Sequence, residues 1–288
     1  MNLFVKKMAG LDSPHGSDKA LINMKSLGTV SALYIYPLKS AQGMPTASLD
    51  ITEKGPRWDR EWMLIDKNNS FVSQRNFPMM SQVQTQVTSD HLICSSPGID
   101  SLYIDLKAYG NETTEAKLFG KPVQTHLIDK NSDQWFSDYL KTEVRLVRAP
   151  KPISRTTSGR NGPITPVQFA DGYPLLLTNT ATLDELNKRL DQPVSMQRFR
   201  PNIVVDHVPA DQEDQWTQLK IGTAGFDSVK ACTRCVVINI DPKSGKKTED
   251  VNKALKSYRT KDGSVIFGTN LSHTQTGSLS IGDSIYAG

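Results

Sequence analysis

Apolar and polar residues alternate with period two through much of the first half of the chain. This alternation predicts strands over residues 30–36, 47–51, 62–66, 81–88, 91–95, 102–106 and 122–127. Lys67, Asn68, Asn69 and Ser70 read as a polar turn that sends the chain back through Phe71 and Val72 as a hairpin. Many short strands at such spacing predict a small barrel or sandwich. A helical period takes over at residues 132–140, with Ser132 expected as the cap and Trp135, Phe136, Tyr139 and Leu140 as the apolar face. A strand over 144–147 follows.

Residues 149–166 are rich in Pro, Gly, Ser and Arg and read as a linker or an active-site loop, which places a domain boundary there. Beyond it, residues 174–178 read as a buried strand. Thr180 is expected to cap a helix carrying Leu183, Leu186 and Leu190, with Pro193 after its end. Further strands are expected at 203–205, 219–221 and 236–240, and a helix at 251–258. The alternation over 277–286 around Gly282 and Asp283 reads as a closing hairpin or a bent strand. The expected class is therefore mainly β with a few helices (α+β), in three parts: a polar tail over 1–28 with a short helix at its start, a first domain over 29–148 and a second over 149–288.

Composition narrows the function classes. Of 288 residues, 37% are hydrophobic and 22% charged, which is ordinary for a globular chain and excludes a fibre or a largely disordered protein. The net charge of +4 is spread along the sequence in no run longer than a pair or triplet, such as Lys243, Lys246 and Lys247. Nucleic acid is thus not an expected partner, whereas a small anionic ligand suits a few converging cations. No apolar run approaches the roughly 18 residues of a membrane span, and the start of the chain lacks a secretory pattern. Three cysteines, Cys94, Cys232 and Cys235, are too few and too odd for a disulfide framework. A reducing, cytoplasmic setting is expected, with no membrane partner.

The sharpest chemistry lies in Ala231-Cys232-Thr233-Arg234-Cys235. Structural zinc would need two more ligands at a spacing that His207 and His273 do not offer. A redox dithiol would open a helix, while Cys235 runs into an expected strand. Two buried structural thiols, or one thiolate bound to a soft metal, remain open; Arg234 beside Cys235 would favour the thiolate. Lys39 with Ser40, Arg75, and Arg200 with Asn202 each stand near an expected strand end. Together they form the donor set that a phosphate and a polar heterocycle require.

These segments, in this order, resemble the MOSC-domain family, which includes the amidoxime-reducing components and their bacterial relatives. The matching pieces are YPLKS (36–40), SQR (73–75), FADGYPLLLTNTATLDELN (169–187), RFRPNIVV (198–205), ACTRCVVINIDPKSG (231–245), LKSYR (255–259) and the closing IGD (281–283). The resemblance runs over about 30–286 and implies an N-terminal β-barrel domain followed by a MOSC β-barrel domain. It implies that Cys235 binds molybdenum and that the cofactor is the molybdenum cofactor, a molybdenum–pyranopterin. Lys39, Ser40, Arg75, Arg200 and Asn202 would anchor that cofactor, with Thr233 and Arg234 lining the metal pocket. Asp171 would deliver protons if burial raises its pKa, and Cys232 would be structural.

The implied activity is reduction of N-hydroxylated compounds, a small-molecule substrate class, with electrons from a separate donor protein: ferredoxin-like, haem-containing or a flavoprotein reductase. No C-terminal ferredoxin domain and no membrane anchor of the mitochondrial kind are expected. Three other readings stay open: a sulfur or cofactor carrier using a Cys235 persulfide, a pterin-binding protein without turnover, and a non-catalytic interaction domain whose loop 153–162, with Arg155 and Arg160, meets a partner. Gly172 and Tyr173 depart from the small hydroxyl residue that the family often has after the acid, so the substrate entrance is expected to differ.

Overall fold

The computed structural model describes residues 26–158 and 164–287. Seven strands close into a barrel. In order around it they are Leu175–Asn179, Ile203–Asp206, Gly28–Ile35, Ser284–Ala287, Gln218–Ile221, Ala224–Thr233 and Ser264–Gln275, and the last pairs back to the first. Closure leaves no open sheet edge to be covered. Six of these strands lie beyond residue 174, but Gly28–Ile35 comes from the other end of the chain and sits between Ile203–Asp206 and Ser284–Ala287. Its Val30, Leu33 and Ile35 fill the same core as Leu177, Ile203, Val205, Phe226, Leu271 and Ile285. Leu175–Asn179 and Ile203–Asp206 run parallel, which requires a crossover. Helix α1 (Lys130–Leu140) belongs to the first half, and α2 (Thr180–Asn187) lies within this crossover.

The first half builds two further sheets. Trp62–Asp66, Val144–Arg148, Lys121–Leu127 and Thr113–Leu118 pair in that order, and Gln84–Val87, His91–Ser96 and Ile99–Asp105 form an antiparallel meander. Helix α1 buries Phe136 and Leu140 against Trp62, Leu64, Leu92, Cys94 and Leu146. The class is as expected, mainly β with three α-helices among the described residues, the third being α3 (Asp250–Tyr258). No helix among those residues is long and apolar enough to cross a membrane. The helix expected at the start of the tail lies outside the described residues.

Several local expectations are corrected. Residues 236–240 are not a strand: Val236–Asn239 form a 3-10 turn. This mostly apolar run fits either state by pattern, and here the N–H groups of Ile238 and Ile240 bond back to the carbonyls of Cys235 and Val237 instead of across to a neighbouring strand. Asp129, not Ser132, caps α1 by accepting from the Ser132 N–H at 2.7 Å. Asn179, not Thr180, caps α2, and the Thr180 hydroxyl donates to Asp206 instead. The start of the strand expected at 81–88 lies in a 3-10 turn, Pro78–Gln82. The loop expected at 149–166 contains paired strands, Thr156–Ser158 with Ile164–Pro166. The 277–286 segment is a bent strand that changes sheets: Gly277–Ser280 pairs with Ser48–Thr52, and Ser284–Ala287 enters the barrel.

Candidate functional site

One end of the barrel, together with loops of the first half, encloses a cavity of about 440 Å³. That lies within the ordinary range for a small-molecule or cofactor site. The nine residues that the resemblance assigns to the site all line it: Lys39, Ser40, Arg75, Asp171, Arg200, Asn202, Thr233, Arg234 and Cys235.

Each wall is held by backbone. The loop after Gly28–Ile35 is clamped to Trp62–Asp66, since the Lys39 N–H donates to the Trp62 carbonyl at 2.8 Å and the Trp62 N–H to that of Pro37 at 3.1 Å. Ser40 then takes a left-handed backbone, φ 70°, and so does Arg200, φ 59°. For residues with a side chain, that conformation costs about 1–2 kcal/mol each. Such costs cluster at functional sites. On the far wall, the Arg234 N–H makes its bond to the Val265 carbonyl just after the strand pair Ala224–Thr233 and Ser264–Gln275 ends. The chain then leaves the sheet, and the next residue, Cys235, is exposed into the cavity. Phe199, stacked on Phe267 at 3.8 Å, backs this wall.

The electrostatics are one-sided. Lys39, Arg60, Arg75, Arg200, Lys230 and Arg234 face a single carboxylate, Asp171. Arg60 is paired with Asp59 behind the wall, so the local surplus is four positive charges, as many as the whole chain carries. Cations dispersed along the sequence are therefore gathered in space. Lys39, only 5% exposed, donates to the Phe169 carbonyl at 2.8 Å and pairs with Asp171. Burial draws the Lys39 amine below its usual range, against the pull of Asp171. Burial works to raise Asp171, but the attraction and hydrogen bond of Lys39, helped by Arg60 and Arg200, outweigh it and hold the carboxyl at about 2. The unequal outcome follows from position: the amine is enclosed, whereas the Asp171 side chain is 72% exposed at the cavity mouth. The raised pKa expected of Asp171 is thus overturned; it is an ionised carboxylate paired with the Lys39 amine. Burial also lowers the Arg200 guanidinium, to about 10, where it lies over the Tyr36 ring at 4.4 Å.

The two cysteines of the C-x-x-C segment differ. The Arg234 guanidinium, expected beside Cys235, instead donates to the Cys232 sulfur at 2.9 Å and to the Phe199 carbonyl at 2.8 Å, and its Nε–H is buried without a partner. Cys235 receives its cation from the other half of the molecule: Arg75 Nη2 lies 3.6 Å from its Sγ. The ground for setting aside a helix-opening dithiol also changes, since Cys235 precedes a 3-10 turn rather than a strand. Among the described residues, no three His, Cys, Asp or Glu side chains gather as a metal cage.

Asn202 is fully buried and its amide is spent inside the wall. Its nitrogen donates to the Tyr34 carbonyl (3.2 Å) and to Asp59 (3.1 Å), while its oxygen accepts from Arg60 (3.1 Å) and the Leu176 N–H (3.2 Å). It positions Arg60, which has a left-handed backbone, φ 50°, and lines the cavity. Arg155, expected on a partner surface, donates to the carbonyls of Gln168 and Ala170 and so holds the segment that carries Asp171; Arg160 lies outside the described residues.

Residues 27–143 match the MOSC N-terminal beta barrel domain, and residues 165–286 match the MOSC domain. The mitochondrial amidoxime reducing component 2 of Bos taurus is 33% identical over 91% of this chain and 84% of its own length. The Homo sapiens component 2 is also 33% identical, with the same coverage. The chain belongs to the MOSC-domain family. A molybdenum cofactor sulfurase of Oryza sativa subsp. japonica is 30% identical over 85% of this MOSC protein but only 32% of its own length.

Reading of the residues alone missed several parts of this MOSC cavity: Arg60, the Phe71 and Phe119 rings 4.7 Å apart, Lys230 over the Tyr173 ring at 5.5 Å, and Gln74, whose amide donates to the Ser40 carbonyl at 2.7 Å. Only Gln74 and Tyr173 carried a signal, since both lie inside segments quoted for the resemblance.

Proposed function

We propose that this MOSC protein is a molybdenum-cofactor-dependent reductase of N-hydroxylated compounds, with Cys235 as the protein's ligand to the metal. The observation that carries the reading is an exposed thiol, 3.6 Å from a guanidinium, on the wall of a cavity with six cations and one carboxylate. The donor set fits the group: a thiolate for a soft metal, and arginines and a lysine for a phosphate and the anionic sulfur chelate. The orphaned Arg234 Nε–H in the wall supports an acceptor there. Lys39, Arg60, Arg75, Arg200 and Lys230 would offset the cofactor's negative charge. When bound, the cofactor would supply the two-electron chemistry that side chains lack.

Conversion of N–OH to N–H consumes two electrons and two protons and releases water. The chain's own part is to orient the substrate and manage those protons. Lys39 Nζ holds a proton against Asp171 Oδ1, and Asp171 opens to solvent on its other side, so the pair links the cavity to bulk water. Phe71 and Phe119 give that end of the cavity an apolar wall. The electrons would come from a separate protein.

The test is the purified wild type against Cys235→Ala. The wild type is expected to hold stoichiometric molybdenum and pterin and to reduce an amidoxime with reduced viologen as artificial donor. Cys235→Ala should fold with the same circular dichroism yet fall to the uncatalysed rate. Wild-type activity in Cys235→Ala would remove the ligand assignment. A persulfide mapped to Cys235 in metal-free protein would favour sulfur carriage, a reading that draws on the likeness to the rice sulfurase.

A further inference from the structure

The segment that delivers Cys235 continues directly into a second feature. After the 3-10 turn Val236–Asn239, the chain makes a tight reversal at residues 241–247. Asp241 builds it: its carboxylate accepts from the N–H groups of Lys243 (3.1 Å) and Ser244 (2.8 Å), and from the Ser244 hydroxyl (3.0 Å). The Asp241 N–H donates to the Lys246 carbonyl, and the Gly245 N–H to that of Asp241, each at 2.8 Å. Arg198 anchors the same carboxylate at 3.2 Å. Gly245 has φ 68°, a left-handed backbone that glycine adopts without strain.

This reversal is docked onto the first half. Gln82 donates its amide to the Lys243 carbonyl at 3.1 Å, and Lys247 donates its amine to the Arg75 carbonyl at 3.2 Å. Arg75 is the residue whose guanidinium approaches Cys235. The outcome is a hydrogen-bonded turn with Lys243, Lys246 and Lys247 all exposed, on the segment that begins with Val236, an apolar side chain left 58% exposed next to Cys235. Among the described residues, none of these lysines has a carboxylate within ion-pairing distance. Exposed cations and an exposed apolar side chain on one segment are the complement of an acidic protein face, and such charge speeds encounter and sets orientation.

We propose that the 241–247 turn and Val236 are the docking surface for a small acidic electron-carrier protein, which delivers electrons over the rim nearest Cys235. This rests on the reductase reading, but it places the contact on this turn and not on the 153–162 loop. The carrier gives up one electron per encounter, so two encounters are needed for each N–OH reduced. Glu249 and Asp250, exposed just beyond the turn, limit the patch to its lysine side.

The probe is reduced plant-type ferredoxin, a strongly acidic iron–sulfur protein, with holoprotein in three forms: wild type, Lys243→Glu/Lys246→Glu, and the control Lys107→Glu/Lys130→Glu. Lys247 stays, because its amine supports the Arg75 backbone. Binding by isothermal titration is read independently of turnover, and turnover with reduced viologen reports separately on the reductase reading. At low ionic strength the turn variant should bind ferredoxin at least roughly tenfold more weakly than wild type, while the control stays within about twofold. Wild-type binding should weaken steeply as the ionic strength rises from about 0.01 to 0.15 M, over which the screening length falls from about 30 to 8 Å. All three forms should keep the viologen rate. Equal ferredoxin affinity in the turn variant and wild type overturns the surface, as does no ferredoxin binding by wild type at low salt. Loss of the viologen rate in every form, with binding intact, overturns the reductase reading and leaves the surface standing.

Discussion

Arg148 and Arg75 are both arginines set against aromatic rings, one in the core of the first half and one in the cavity wall. Arg148 is fully buried between Trp62 (4.7 Å) and Tyr109 (4.0 Å). Each of its nitrogens meets an acceptor: Nε and Nη2 reach Glu61 at 2.8 and 2.6 Å, and Nη1 reaches the carbonyls of Leu106 and Ala108 at 2.8 and 2.9 Å. Arg75 lies over Phe119 at 5.7 Å and points at a sulfur. In the first cluster every guanidinium nitrogen has its acceptor; the second shares a cavity whose six cations meet one carboxylate on the wall, Asp171, and one behind it, Asp59. A charge whose partners are all supplied by the chain stabilises the fold, and a surplus of charge is a place where something else completes the balance.

The contrast can be broken experimentally, beginning with its largest effect. Arg148→Ala strands Glu61 in the core and should cost about 3–5 kcal/mol in urea unfolding, with Arg148→Met/Glu61→Leu recovering part of the loss. A cost below about 1 kcal/mol for the single variant would show that the closed pair is not what holds the loop at 106–108 to the sheet.

Arg75→Met should behave in the opposite way. Its stability should stay within about 0.5 kcal/mol of wild type, because no buried partner is abandoned. Molybdenum retention should drop by roughly 10- to 100-fold in affinity, the usual cost of losing a group that supports a ligand. Unfolding of Arg75→Met at the Arg148→Ala denaturant midpoint would erase the distinction.

Asp171→Asn is the finest test. Asp171 titrates near 2 in the fold against an ordinary 3.8, so its contribution is complete above pH about 4 and is lost as pH falls through about 2. The stability gap between wild type and Asp171→Asn should therefore close over that acid range and stay flat around neutrality. Exposure at the cavity mouth keeps the gap small. Acid-unfolding curves of identical shape would show that Lys39 does not hold this carboxylate in solution.

Strand alternation such as Val83, Thr85 and Val87, and helix stripes such as Phe136 with Leu140, were legible because one face of each meets a core. The strands Ala224–Thr233 and Ser264–Gln275 were not assigned, because register shifts interrupt their pairing and Gly268, at φ 73°, breaks the period. Caps were misplaced by one or a few residues where two hydrogen-bonding side chains stood close, as with Asn179 and Thr180. At the site, nine residues were legible as a set because their segments resemble one family, yet their contacts were not. Neighbours in sequence do not reveal that Arg234 serves Cys232 while Arg75 reaches across to Cys235. Phe119 stayed invisible for a related reason: it sits at a hairpin tip, and only the folded pairing of Thr113–Leu118 with Lys121–Leu127 carries it to the cavity.

The stave Gly28–Ile35, fitted between Ile203–Asp206 and Ser284–Ala287, sets the timing of assembly. Many multidomain chains fold one unit at a time as each leaves the ribosome. Here the cylinder waits: beyond the short Met44–Thr46 beside its end, this strand has no barrel neighbour until residues near 205 exist, and it lacks its second until residues 284–287 have been synthesised. The cradle at its rim is therefore finished only when nearly the whole polypeptide is free. A cut between the halves would part that stave from its two barrel neighbours, and the loop carrying Lys39 and Ser40 from the wall formed by Arg200 and Cys235.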